Sequence, residues 1–354
     1  LTPVPAHWRA AALQPPRAFG HPPLAGTLRT IPEDFEVVEE LGFAPDGAGQ
    51  HVLLKIRKRG ANTEWVARSL ARQAHLRPSD VGFAGLKDRH AVAVQWFSVP
   101  GGSEAPTGPW LALRNPEFEV LEVHAHGRKL RRGALAANRF RIRVRELRGD
   151  RAALGDRVAM IAERGVPNYF GAQRFGRDGG NLQSLMHWTV EGREPRGRTE
   201  RGFTLSTGRS LVFNAVLAER VRRETWDRIL PGEVVNLDGS GSVFRVDMPE
   251  ADVEGRCAEL DVHPTGPMWG VGELRPGLDA AALEDQVSGA FEAVTRVLEQ
   301  AGLQSERRAL RLRVEALEAR LDEHLELTFS LGPGSFATAV VRELVAADVA
   351  GVMT

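Results

Sequence analysis

The chain has 354 residues, 42% of them hydrophobic and 26% charged, a length that fits about two domains and a composition that supplies apolar cores. Lysine and arginine number 46 and so do aspartate and glutamate, so the formal net charge is zero and only a local basic surface is available to hold a polyanion. The single cysteine, Cys257, rules out an intramolecular disulfide and any zinc site built from several cysteines.

The first residues, LTPVPAHWRAAALQPP, lack the charged–apolar–cleavage order of a signal peptide. No apolar run reaches the ~18 residues that cross a bilayer, and the expected location is the cytoplasm. Residues 35–41 and 50–57 read as short β-branched strands separated by the turn PDGAGQ. A helix is predicted over 63–76, capped by Asn62 or Thr63, with Trp65, Val66, Leu70 and Leu76 near one face and Pro78 closing the unit.

Two further strands, near 81–85 and 91–99, bracket a tight turn that sets Asp88 between Lys87 and Arg89. Nearby positive charge favours the ionised form of a carboxylate, which makes such a residue a usable nucleophile or base. The same residues also suit a plain charged hairpin turn. PGGSEAPTGP (100–109) reads as a loop.

Residues 139–147 alternate. Phe140, Ile142 and Val144 share one strand face, and Arg139, Arg141, Arg143 and Arg145 share the other. With Arg128, Lys129, Arg131 and Arg132 these arginines form a basic stripe without an acid, and Lys55, Arg57, Lys58 and Arg59 form a second cluster. Each is read as a phosphate contact or as a solvated face. A helix over 150–163 begins with Asp150 and stops at Gly165.

Beyond Gly165 the pattern changes, with helices near 181–190, 209–229 and 280–301 among Gly- and Pro-rich turns. Alternation returns over 310–321 and 324–331, where Leu325, Leu327, Phe329 and Leu331 share a face; a hairpin is expected, with a helix over 314–323 as the competing reading. His124-x-His126 puts two imidazoles on one strand face without a third ligand, and GSGS at 239–242 lacks dinucleotide-loop spacing. No metal and no nucleotide cofactor is expected.

Five segments, in order along the chain, resemble the TruD family of tRNA pseudouridine synthases. RTIPEDFEVVEE (29–40) is similar to the family's P-E-D-F run, and GFAGLKDRHAVAVQWF (82–97) to its catalytic motif. KLRRGALAANRF (129–140), VPNYFGAQRFG (166–176) and GPGSFATAVVREL (332–344) match three more elements, so the likeness covers essentially the whole chain.

The resemblance implies an α+β protein. A pseudouridine-synthase-type catalytic domain with a mixed, largely antiparallel sheet would comprise 1–164 and 311–354, with an α/β domain (165–310) inserted. It implies isomerisation of uridine 13 in the D arm of tRNA, with Asp88 as the catalytic residue. Arg29 is its expected cation, where some relatives carry lysine. Phe140 matches the residue that stacks on the target base, with core packing as the competing role, and Asn138 is its polar companion. Lys87, Arg89 and His90 are expected to contact phosphate or ribose. NYFGAQRFG, which holds the only tyrosine, Tyr169, is read as a structural or junction motif. The expected partner is tRNA, with no membrane, and a monomer fits. A catalytically silent tRNA-binding module would tolerate loss of Asp88, and a methyltransferase would need a glycine-rich loop after a strand.

Overall fold

The computed structural model describes residues 3–101, 108–176, 179–273 and 275–349, so the centre of the loop expected over 100–109 lies outside the described residues. The chain divides into two compact units interleaved in sequence. One comprises Pro23–Val158, Val314–Ser335 and the segment from Val345 onward. The other comprises the residues up to Pro22, Ala159–Arg313 and Phe336–Leu344.

The first unit is organised around the long strand Leu135–Gly149. It runs antiparallel to Phe35–Leu41 on one side and to Leu325–Leu331 on the other, in a register that sets Phe140 between Val37 and Phe329 and sets Ile142 between Phe35 and Leu327. Phe140, Ile142 and Val144 are buried, as are Leu325, Leu327, Phe329 and Leu331. Burying each such side chain favours the fold by about 1.5–3 kcal/mol. That apolar face decides between the two readings of 314–323: Glu315–Leu321 is a strand, paired antiparallel to Leu325–Leu331.

The sheet continues through Val92–Pro100, parallel to Phe35–Leu41 and antiparallel to His51–Arg59, and on to Phe118–His126. The helix Thr63–Gln73 covers this half, packing Val66, Ala67, Leu70 and Ala71 on Val52, Leu54, Ile56, Phe97 and Val99. At the other end Leu24–Leu28 pairs antiparallel with Leu135–Gly149 and parallel with Val345–Val349. This last strand was not foreseen, because nothing alternates in its short AAD-containing sequence.

The second unit is built on the helix Arg198–Arg222, buried along most of Thr204–Val221. It starts and ends earlier than the helix expected over 209–229. Ala6–Leu13, Gly180–Thr189, Leu278–Gly289 and Glu292–Gln300 are further helices of this unit. The single helix expected over 280–301 is two, broken where Phe291 leaves helical geometry and enters the core against Trp8. Four strands (Val243–Val246, Glu233–Leu237, Val262–Met268 and Glu306–Ala309) form an antiparallel sheet.

The expected grouping placed residues 1–22 and 336–344 with Asp88, but they pack in this second unit. Trp8, Ala11 and Ala12 join a core with Tyr169, Phe170 and Phe213, Phe336 packs against the same core, and Arg342 donates to the carbonyls of Pro15 and Pro16. The helix Leu154–Arg164 ends at Gly165 as expected, whose φ of +72° and approach to the Leu312 carbonyl leave no room for a Cβ. No helix among the described residues is long and apolar enough to cross a membrane.

Candidate active site

The turn that carries Asp88 leads from the short strand Gly82–Phe83 into Val92–Pro100. Gly82 makes its start possible, since a Cβ there would sit 2.4 Å from both the Leu130 carbonyl oxygen and Ser98 Oγ. Beyond it the backbone is not free to move, because buried polar side chains hold it from beneath. Gln95 Nε2 donates to the Gly85 carbonyl (2.6 Å), and Thr63 Oγ1 accepts from the Lys87 amide (3.0 Å) while donating to Gln95 Oε1 (3.0 Å). Lys58 Nζ donates to the carbonyls of Ala61 (2.7 Å) and Asp88 (2.8 Å), with that of Lys87 at 3.5 Å. Burial pushes the Lys58 ammonium down to about 8; Lys87 pushes the same way and the charge of Asp88 opposes both.

The Asp88 carboxylate is addressed from two sides. Oδ1 accepts the His90 amide (3.0 Å), a local bond of the Asx-turn kind, and Oδ2 lies 2.7 Å from Arg29 Nη1. The Asp88 side chain is 24% exposed, so the oxygens so oriented keep access to a small reacting group. Arg29 comes just after the strand Leu24–Leu28 with φ +59°, a left-handed conformation uncommon for any residue but glycine. Its guanidinium also lies 4.4 Å over the Phe35 ring. Ion pair and ring contact together determine a backbone state that local preference disfavours.

Phe35 extends this arrangement inward. Its ring meets Phe140 edge-on (6.0 Å), and Phe140 stacks on Phe329 (5.4 Å, 29° between planes). Asn138 precedes Phe140 by two residues and so shares its strand face. It is buried, and its carboxamide oxygen has no hydrogen-bond partner among the described residues.

The remaining expected contacts divide. Arg89 and His90 are exposed, with Arg89 Nε on the Gly60 carbonyl. Lys87 is different. Its ammonium turns inward onto the fully buried Glu39 (2.6 Å), whose second oxygen accepts the Trp96 amide, so the expectation of a phosphate or ribose contact is corrected to a buried ion pair beneath the turn. Among the other basic residues, Arg141 pairs with Glu36, Arg143 with Glu326 and Arg145 with Asp34. Lys55, Arg57 and Arg59 pair with Glu122, Glu119 and Glu33. Strand pairing brings Glu36, Glu326, Glu119 and Glu122 alongside, and Glu33 and Asp34 come from the turn Pro32–Asp34, so the second cluster is largely neutralised and the first only over Arg141–Arg145. Arg128, Lys129, Arg131, Arg132 and Arg139 stay exposed, and Arg139 has no acid partner among the described residues.

Glu39, Lys58, Thr63 and Gln95 were missed as site residues. For Lys58 the signal was present: it falls on the opposite strand face from Arg57 and Arg59, in phase with Ile56. Tyr169, Phe170 and Phe175 belong to the core of the other unit, where Asn214 bonds both the amide and the carbonyl of Phe170. His126 stacks on Phe43 and pairs with Asp46, while His124 pairs with Glu122.

The family model described as tRNA pseudouridine synthase D (TruD) matches residues 17–192 and 202–344. A tRNA pseudouridine synthase D of Nitrosococcus oceani is 48% identical over 332 residues, covering 92% of each chain. That of Methylococcus capsulatus is 46% identical over 338 residues, covering 95% of each. A crystal structure from Methanosarcina mazei under the same family description superposes with a TM-score of 0.71 over 97% of this chain and 98% of that one. At 20% identity it speaks to the fold.

Proposed function

The chain belongs to the tRNA pseudouridine synthase D family and is an isomerase acting on RNA; from that premise we propose that it converts uridine 13 in the D arm of tRNA to pseudouridine, with Asp88 as the catalytic residue. The observation that carries this reading is the Arg29–Asp88 pair, a carboxylate held by two donors and still open to a small group. The reaction cuts the bond between uracil N1 and ribose C1′, turns the base, and rejoins it through C5. An aspartate serves either by attack at C1′ or by taking a proton from the neighbouring ribose carbon. No cofactor enters this chemistry.

Arg29 orients the carboxylate and keeps a positive charge beside it. Asn138 offers its unpaired carboxamide oxygen to an N–H of the extruded uracil, and Phe140, backed by Phe329, is the aromatic platform beside it. Arg89, His90 and Arg139 are exposed donors for phosphate or ribose. The base must leave its stack first, at a cost of a few kcal/mol. On this reading the unit holding Asp88 is the catalytic domain, the unit built on Arg198–Arg222 contains the insertion, and the protein works in the cytoplasm. The test is tritium release from a tRNA transcript labelled at uracil C5, followed by mapping of the modified position. Release with pseudouridine at position 13 is the expected result; release mapped elsewhere would replace the assigned site.

A further inference from the structure

Lys58 is a buried ammonium beneath the turn with no carboxylate in hydrogen-bond reach among the described residues. It is fully buried, and its hydrogens point to the backbone carbonyls of Ala61, Asp88 and Lys87. A buried charge satisfied by neutral acceptors alone is costly, and an uncharged side chain of similar length would fill the same space without that cost. The carbonyl it grips most closely on the turn belongs to Asp88 itself.

We propose that Lys58 is the positioning residue of the active site, a buried ammonium that clamps the Asp88 backbone and sets a second positive charge behind its carboxylate. This rests on the reading of Asp88 given above. The charged surroundings of Lys58 are few. Asp88 and Lys87 face it from the turn, the former held by Arg29 and the latter by Glu39. On its own strand Arg57 and Arg59 alternate to the opposite face, on Glu119 and Glu33. The strands on either side place Ala93 and Phe118 across from it, and the following helix begins with the neutral Thr63. With the ammonium lowered to about 8, raising the pH removes both a clamp hydrogen and a charge. The clamp therefore sets an alkaline limit on turnover.

The experiment compares single-turnover rates on prefolded tRNA from about pH 6 to about pH 10, a range that brackets this transition. Wild-type protein should slow above about pH 8. Lys58→Met should be slower by on the order of ten- to a hundredfold with KM little changed, and should lack that alkaline limb. Lys58→Arg should move the limb upward, because a guanidinium stays charged. Thr63→Val, which removes an uncharged anchor of the same turn, should lower the rate and keep the limb. A Lys58→Met rate within about twofold of wild type, or an unmoved limb, overturns the proposal.

A second measurement needs no turnover. In full-length protein carrying 15N-lysine, the Lys58 ζ-nitrogen should titrate lower in Asp88→Asn than in wild type, since the substitution removes the neighbouring negative charge. Equal titration in the two proteins overturns the proposal whether or not Lys58→Met folds. A wild-type protein inactive on tRNA would count against the proposed substrate and leave this second result decisive for Lys58.

Discussion

The two sides of the Asp88 turn use charge in opposite ways. On its outer side Arg29, Asp88 and the His90 amide form a partly solvated group whose partners orient a reactive carboxylate. On its inner side Lys58, Thr63, Gln95 and the Glu39–Lys87 pair are buried, and each bonds backbone or another buried group. The outer groups would do chemistry and the inner ones fix where it happens. Substitutions on the outer side should therefore cost rate, and those on the inner side stability as well.

The largest effect sharpens the outer half of that contrast. Asp88→Asn should keep the melting temperature of the wild type while single-turnover rate falls on the order of 10^4-fold. A near-normal rate would end the catalytic assignment. On the inner side Glu39→Ala leaves the Lys87 ammonium buried and alone, so chemical denaturation should show a loss of about 3–5 kcal/mol. A loss below about 1 kcal/mol would mean that Lys87 finds water, and the inner side would not be the sealed layer described.

Phe140 lies between Phe35, under the Arg29 guanidinium, and Phe329, and its substitution separates two roles. Phe140→Ala should lose about 3–5 kcal/mol of stability through the cavity left between Phe35 and Phe329. The folded protein should also lose roughly ten- to a hundredfold in rate if the ring carries the base, and Phe140→Tyr should be much milder. Unchanged turnover in folded Phe140→Ala would leave it as core alone.

A fourth outcome concerns pH and stability. The folded Lys58 is lowered to about 8 and the unfolded side chain titrates near 10.4. Between those values the unfolded chain binds more protons, so stability should rise with pH. The rise is up to roughly 3 kcal/mol and should be missing from Lys58→Met. Parallel stability–pH curves for the two proteins would show that the ammonium is not desolvated in the fold.

The smallest effect belongs to the exposed surface. Arg139→Gln should weaken tRNA binding modestly and reduce the salt slope by about one, with no change in melting temperature. An unaltered slope would remove Arg139 from the RNA contacts.

Much of the outer side was legible in the sequence, because a short motif fixes Asp88 and its immediate neighbours. The alternation over 139–147 also gave the buried face of that strand, which the structure reproduces residue by residue. What single-strand reading cannot see is the neighbour across the sheet. The segment from Gly127 to Arg145 contains no acid, yet Glu36 lies opposite Arg141 and Glu326 opposite Arg143, so strand pairing neutralises that part of the stripe and leaves Arg128, Lys129, Arg131, Arg132 and Arg139 exposed. Lys87 was misread for a related reason. Its sequence neighbours are charged turn residues, while its partner Glu39 comes from the strand Phe35–Leu41. The division into units was misplaced at Phe336–Leu344 because a motif can span a boundary that only packing defines.

The pairing of Leu24–Leu28 with Val345–Val349 has a consequence for the order in which the protein is made. A ribosome releases the first of these strands early and the second only after nearly all the intervening chain. Until then one edge of Leu24–Leu28 offers unpaired amides and carbonyls to whatever strand is near, a condition that favours mispairing. Synthesis that stalls before residue 345 would leave that edge open, so products truncated there should aggregate or be degraded more readily than full-length chains, with every residue of the Asp88 turn already present.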